Sequence, residues 1–294
     1  MEIIGIQTDI AWEERDTNYA RVRELLSGSR ISPGSLLVLP ELFAVGFSMD
    51  SAKVADRRRE TEIFLMDLAR QYQSFVIGGV ASHVPGESGD SMANESLLVD
   101  PEGNLVERYQ KMHPFSLAGE PEHYHAGNAV VVAECGEFLV APTICYDLRF
   151  PELYRAAVGQ GAEILVVIAN WPVTRIDHWT TLLRARAIEN QAYVIGVNRV
   201  GQDPLYTYNG KSLIVDPHGK VLAEAGASAG LIRAMADRRV LLDWRAAFPA
   251  LQDRREDLGN GAVGEGQNDE AGEEPAANSL PEWVSEVSVW HNRA

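Results

Sequence analysis

The 294-residue sequence predicts an α/β protein in which helices cover both outer faces of mixed β-sheets, on three observations. The second half alternates apolar strands with segments of helical spacing, the pattern of layered α/β folds. Several strands are apolar throughout instead of alternating: SLLVLP (Ser35–Pro40), FVIGGVAS (Phe75–Ser82) and ILVVIA (Ile164–Ala169). Such runs belong to strands buried on both faces. Third, SLLVDPEGNLVERYQK (Ser96–Lys111) is echoed by SLIVDPHGKVLAEAG (Ser212–Gly226). Each reads as a strand, an Asp-Pro-x-Gly turn and a return strand, and the residue types suit a type I turn. Two copies point to pseudo-symmetric halves of one sandwich, not to a solenoid.

The elements follow in order. Ile3–Thr8 is a short apolar strand. Asp16 is placed to cap a helix bearing Ala20, Val22, Leu25 and Leu26, which Gly28 stops. Ser32–Gly34 is a turn into the strand SLLVLP, and residues from about Asp56 to Tyr72 have helical spacing. FVIGGVAS is the next strand; a Gly- and Ser-rich loop then leads to the first Asp-Pro-x-Gly hairpin. Strands are expected at Ala129–Glu134 and Phe138–Pro142, then a helix from about Pro151 to Gln160 opened by its proline. Strand Ile164–Ala169, a helix from about Ile176 to Asn190 and strand Ala192–Val200 complete the alternation. The domain is expected to span 1–258. From Gly259 the chain is rich in Gly, Asn, Ala and Glu, so 259–279 is expected to be disordered. Trp283, Val284, Val287, Val289 and Trp290 give 280–290 the spacing to dock as a short amphipathic segment.

Composition removes several functions. There are 42 acidic and 26 basic side chains, a formal charge of −16. So acidic a surface repels phosphate backbones and anionic lipid, which excludes a general nucleic-acid binder and membrane adhesion. No apolar run approaches the roughly 20 residues of a membrane span. The first residues, MEIIGIQTDI, lack the basic region and cleavage site of a signal peptide. Cys135 and Cys145 alone make no disulfide framework. A soluble, cytoplasmic protein is expected.

Three islands could carry chemistry. In APTICYDLRFPELYR (Ala141–Arg155) a strand ends at Ile144 and a helix starts near Phe150, so Cys145 lies on the bend. A bend can expose a thiol to backbone N–H groups and a helix N-terminus, which favour thiolate; otherwise a lone cysteine is a small buried hydrophobe. In LVLPELFAVGF, Glu41 follows a buried strand and faces either solvent or a site, with Phe47 close behind; in QKMHPF, Lys111 ends the hairpin's return strand. Singly these are surface or salt-bridge residues. Together with Cys145 they are a nucleophile, a carboxylate base and a cation for a developing oxyanion. Trp171, Arg175, His178 and Trp179 follow a strand end, where α/β sheets form ligand clefts. They read either as pocket residues or as core aromatics with solvated charges. Other candidates are weaker. His113, His123 and His125 lack the partners of a metal site. GGVASHVPGESG lacks the Lys-Ser/Thr ending of a phosphate loop. Cys135, beside two carboxylates in AECGE, reads as structural or surface, with a raised thiol pKa.

PELF around Glu41, the lysine of QKMHPF and CYDLRFPELYR around Cys145, in that order, resemble the nitrilase (carbon–nitrogen hydrolase) superfamily across roughly residues 1–258. The resemblance implies a four-layer αββα sandwich of two mixed sheets, no metal or organic cofactor, and homodimers or larger assemblies. It makes Glu41, Lys111 and Cys145 the catalytic residues. It matches a second, supporting glutamate to Glu120 in SLAGEPEHY, with Glu122 close enough to compete. NWPVTR followed by HW, and ARAIENQ with GVNRVG, are most similar to the omega-amidase branch, which hydrolyses the terminal amide of 2-oxoglutaramate or 2-oxosuccinamate. The expected course is amide hydrolysis through a cysteine thioester, with Lys111 and the backbone N–H of Tyr146 on the oxyanion. A guanidinium can grip a substrate carboxylate bidentately; Arg175 is the first candidate, with Arg149 and Arg199 as alternatives. The competing activities are aliphatic amidase, true nitrilase and N-carbamoyl hydrolase. A non-catalytic assembly scaffold is the other alternative.

Overall fold

The computed structural model describes residues 1–84 and 91–255, and Met1–Asp253 form one compact unit. The expectations for 259–279 and 280–290 lie outside the described residues.

The first sheet contains β1 (Glu2–Gln7), β2 (Leu36–Val38), β3 (Phe75–Val84), β4 (Ser91–Val99) and β5 (Leu105–Gln110). The helices of this half are α1 (Arg15–Leu26), α2 (Ser51–Val54) and α3 (Glu60–Tyr72). The second sheet contains β6 (Ala133–Cys135), β7 (Phe138–Ile144), β8 (Ile164–Ala169) and β9 (Tyr193–Asn198). Its helices are α4 (Pro151–Gly159) and α5 (Ile176–Asn190). A two-stranded ribbon, β10 (Val200–Gln202) and β11 (Thr207–Asn209), precedes β12 (Leu213–Val215), β13 (Val221–Glu224), β14 (Gly230–Met235) and α6 (Arg238–Ala247).

The strand orders are β14-β1-β2-β3-β4-β5 and β6-β7-β8-β9-β12-β13. In each sheet three parallel strands (β1–β3, β7–β9) carry an antiparallel strand on one edge and an antiparallel hairpin on the other. The two Asp-Pro-x-Gly segments are those hairpins. In both, the Asp carbonyl accepts from the Gly N–H at 2.9 Å, the glycine has φ near +80° (Gly103 +79°, Gly219 +81°), and the register shifts once. Only a residue without Cβ fits these turns. A Cβ on Gly103 would lie 2.4 Å from Arg70 of α3, and one on Gly219 2.4 Å from Ile188 of α5. The echo is a structural repeat.

Burial explains the unbroken apolar runs. Ile3, Leu36, Val38, Ile77 and Leu98 face the second sheet, sharing a core with Val140, Ile144, Val166 and Ile168. Their neighbours Ile4, Leu37, Val76, Leu97 and Val99 point outward and pack beneath Val22 and Leu26 of α1 and Leu65 and Leu68 of α3. Both faces of the strands are covered, so no polar alternation survives. With α5 over β9 and β12, the layers are helix, sheet, sheet, helix, as expected.

Several local expectations change. α1 begins at Arg15, so Asp16 lies in its first turn and does not cap it; Glu14 precedes the helix without a side-chain cap. α3 begins at Glu60, and Asp56 lies ahead of it with Oδ2 accepting from the N–H groups of Thr61 and Glu62 at 2.9 and 3.2 Å. The strand expected over 129–134 is confined to Ala133–Cys135, while β7 extends to Ile144. Among the described residues no helix is long and apolar enough to cross a membrane.

Candidate active site

Glu41 lies in a tight turn just beyond β2. The turn has Leu42 at φ +45° and its Gly46 N–H bonded to the Leu42 carbonyl at 2.8 Å. β3 passes directly beneath: a Cβ on Gly79 would sit 2.3 Å from the Leu42 nitrogen and 2.7 Å from Glu41 Cα. The glycine that looked like part of a loop motif is a contact point between strand and turn. The Glu41 carboxylate is fully buried. Its Oε1 accepts from Lys111 Nζ and Asn94 Nδ2, both at 2.8 Å, and its Oε2 from the Asn170 N–H at 2.8 Å.

Lys111 Nζ is also buried and reaches Glu120 Oε1 at 3.0 Å and Oε2 at 2.7 Å. Glu120 is fully buried, whereas Glu122 is exposed. Of the two, it is Glu120 that meets Lys111. Asn94 Nδ2 bridges the two acids, adding a 2.9 Å bond to Glu120 Oε1. Burial alone would raise the Glu41 carboxyl. The Lys111 charge and the bonds from Lys111, Asn94 and Asn170 outweigh it, leaving the group below the ordinary carboxylate range. The reciprocal attraction of Glu120 and Glu41 more than offsets burial at Lys111 and raises its pKa. Glu41 and Glu120 thus both contact the Lys111 amine in one fully buried cluster.

Cys145 follows β7 and begins a short 3₁₀ turn over Cys145–Arg149, at φ +48°. A left-handed non-glycine residue at a cleft is a strained position, of a kind that collects at functional sites. Its Sγ lies 3.9 Å from the Asn170 carbonyl oxygen. Burial, followed by the neighbouring Glu41 charge, pushes its thiol well above the ordinary value. The resting pair is thus thiol and carboxylate. Cys135 is buried in β6, and burial alone raises its pKa; neither a surface position nor the flanking carboxylates account for it.

Cys145 opens onto a cleft lined by Phe47, Phe115, Tyr146, Arg149, Asn170, Trp171, Pro172, Arg175 and Tyr206. The Arg149 guanidinium stacks over Trp171 at 4.9 Å, and that of Arg175 over Phe115 at 5.4 Å. Among the described residues neither guanidinium has a carboxylate within salt-bridge distance. Burial, then the Arg175 charge, lowers the Arg149 pKa, the mark of two like charges in a half-dry cleft. His178 is exposed and meets Arg149 Nη2 at 3.2 Å through Nδ1, outside the cleft wall. Trp179 is core. Arg199 is fully buried, donates to the carbonyls of Val200, Ile10 and Gln202 and stacks on Tyr208. It holds loops together and takes no part in the cleft.

Sequence reasoning missed Asn94, Asn170 and Tyr206. Asn170 had a readable signal, an amide interrupting an apolar strand at its end; Asn94 did not, being one polar residue inside a hairpin.

The carbon–nitrogen hydrolase family model matches residues 4–246. The chain is 40% identical over 268 residues to a 2-oxoglutaramate amidase of Paenarthrobacter nicotinovorans, covering 88% of this chain and 90% of that protein. It is 38% identical over 258 residues to the omega-amidase YafV of Escherichia coli, covering 87% and 97%. A similar solved structure is XC1258 of Xanthomonas campestris, a superfamily protein with an arsenic adduct in its active site. That structure superposes with a TM-score of 0.79 at 31% identity, covering 87% of this chain and 97% of that one.

Proposed function

The chain belongs to the carbon–nitrogen hydrolase family, in its omega-amidase branch, and we propose that it hydrolyses the terminal amide of a short 2-oxo acid such as 2-oxoglutaramate or 2-oxosuccinamate. The observation that carries the reading is the opening of Cys145 onto a cleft with two carboxylate-free guanidiniums, beside the buried Glu41–Lys111–Glu120 cluster.

In the proposed reaction Glu41 takes the Cys145 proton as sulfur attacks the amide carbon. The carbonyl oxygen becomes an oxyanion, stabilised by Lys111 and the Tyr146 N–H; one such donor is typically worth about 3–4 kcal/mol. Glu41 returns the proton to nitrogen, the C–N bond breaks, and ammonia leaves. Water then gives a proton to Glu41 as its oxygen attacks the thioester. Collapse releases the acid, and the proton returns to sulfur. Glu120 and Asn94 keep Lys111 and Glu41 in place throughout. Arg175 or Arg149 binds the substrate's free carboxylate, between Phe115 and Trp171. No step calls for a metal or organic cofactor.

The same reading has the enzyme working in the cytoplasm as a homodimer or larger assembly, with a hydrolase domain over 1–258 followed by an acidic tail. An ammonia-release assay against 2-oxoglutaramate, glutamine, neutral amides of equal length, simple nitriles and N-carbamoyl amines tests the substrate. The 2-oxo acid amides are expected to turn over far faster than the rest. Equal rates on charged and neutral amides would replace this reading with an aliphatic amidase; no ammonia from any would favour the scaffold alternative.

A further inference from the structure

The buried carboxylate of Asp147 has no part in the proposed proton transfers, yet it accepts four hydrogen bonds. Its Oδ2 takes the Tyr109 hydroxyl at 2.7 Å and the Ile144 N–H at 3.0 Å. Its Oδ1 takes the His113 N–H at 3.0 Å and lies 2.8 Å from His113 Nδ1. The donors come from three residues: Tyr109 and His113 lie two residues either side of Lys111, in and just beyond β5 of the first sheet. The third directly precedes Cys145, at the end of β7 in the second. Asp147 itself sits on the nucleophile turn, two residues beyond Cys145.

We propose that Asp147 is a positioning residue that locks the Cys145 turn to the Lys111 segment across the two sheets and so sets the sulfur-to-ammonium geometry needed for acylation. Three features single it out. Cys145 is held at φ +48°, a conformation that persists only where its surroundings over-determine it. The Ile144 N–H bond fixes the peptide that enters Ile144, one residue ahead of Cys145. A short carboxylate link carries positional information better than apolar packing, because four donors converge on two oxygens. The outer wall of the turn shares His113 with this link and is held in addition by aromatic packing. His113 stacks on Phe150 at 3.8 Å, Phe150 packs edge-on against Tyr146, and Tyr146 meets Phe115 in the cleft. Loosening Asp147 therefore disturbs the reacting groups more than the carboxylate-binding wall.

This inference rests on the reading of Cys145 as nucleophile, and its test separates the two. Asp147→Asn keeps the size but turns an NH₂ toward two of the donors. Turnover of 2-oxoglutaramate is expected to lose about 10²-fold in kcat, the cost of roughly 1 Å of misplacement, with KM changed less than about threefold. Iodoacetamide alkylation of Cys145, followed by mass spectrometry without any amide substrate, is expected to change in rate in the same variant. Asp147→Glu should recover part of kcat and Asp147→Ala none. Should Asp147→Asn fail to fold, the double variant Tyr109→Phe with His113→Gln removes two donors while leaving the charge, and a loss in kcat at constant KM is expected there too. A folded Asp147→Asn enzyme with wild-type kcat and alkylation rate overturns the inference. An equal loss spread over kcat and KM does so as well, since it marks general loosening. A wild-type protein inactive on every amide refutes the nucleophile reading instead, whatever Asp147 does.

Discussion

Burial and charge act in opposite directions on the groups around Cys145, and the balance dictates what each substitution does. With the thiol raised and Glu41 lowered, the proposed proton transfer would start from a thiol and a carboxylate. Cys145→Ala is expected to abolish turnover while preserving the circular dichroism spectrum. Mass spectrometry of wild type with a slow substrate should find the acyl adduct on Cys145; an adduct on Cys135 would refute the assignment. Glu41→Gln removes the base and should cost about 10²–10⁴-fold in kcat. Glu41 also links stability to pH. Its folded pKa lies below the ordinary 4.5, so the unfolded chain binds that proton more readily. The stabilisation is complete above the unfolded value and is lost as pH falls through the folded one. Melting temperature should thus decline on acidification below about pH 4.5, more steeply in wild type than in Glu41→Gln. Arg175→Met should raise KM for 2-oxoglutaramate while leaving slow neutral amides unchanged; unchanged selectivity would shift the carboxylate contact to Arg149. The placement of Cys145, Glu41 and Lys111 was legible because each follows a strand end. The pairing of Glu120 was not decidable from sequence, since Glu122 differs only in burial. Asn94 escaped because its importance comes from Glu41 and Glu120, which are distant in sequence and meet its side chain only in the fold.

The strands and helices that position these groups depend on a few close approaches. Gly79→Ala tests one of them. With a backbone nitrogen 2.3 Å from the added carbon, β3 or the Glu41 turn must move. A loss of about 3 kcal/mol is expected, toward the top of the overpacking range. Urea denaturation reads this cost. Because the displaced element carries Glu41, kcat should fall as well, and a variant with wild-type stability would show that the turn yields freely. The apolar runs at β2, β3, β8 and β9 made those strands visible, and the boundaries of α5 and β8 match expectation to the residue. β14 and α6 were not recognised: GLIRAM is a short edge strand with an arginine inside, and RRVLLDWRAA has charges amid its apolar positions. Periodicity speaks clearly only where burial is deep on both sides, which edge elements lack. Asp16 was misjudged as a cap because propensity marks the residue type and not the turn in which the chain begins to wind.

Over the whole chain, the repeat of three parallel strands plus a hairpin places Glu41 and Asn170 at equivalent positions, after the second parallel strand of each half, where they hydrogen-bond to each other. Cys145 follows the first parallel strand of the second half, whereas Lys111 follows the hairpin of the first. Neither half holds a complete site. All of these groups lie within 1–253, so truncation after Leu258 is expected to retain full turnover at matched oligomeric state, read by ammonia release with light scattering. A large loss would assign the acidic tail a part in the site. One further feature bears on how the protein is made. The Met1 ammonium bonds to the Ala236 carbonyl 235 residues later, and β14 lies antiparallel along β1 with Met235 opposite Glu2. On the ribosome, β1 emerges well before its edge partner. At usual elongation rates that interval is roughly 10–50 s. Until β14 arrives, the amides and carbonyls on that side of β1 lack their native partners, the kind of edge that templates aggregation. Shielding of that edge during synthesis is therefore expected to affect expression yield, independently of the equilibrium stability of the finished enzyme.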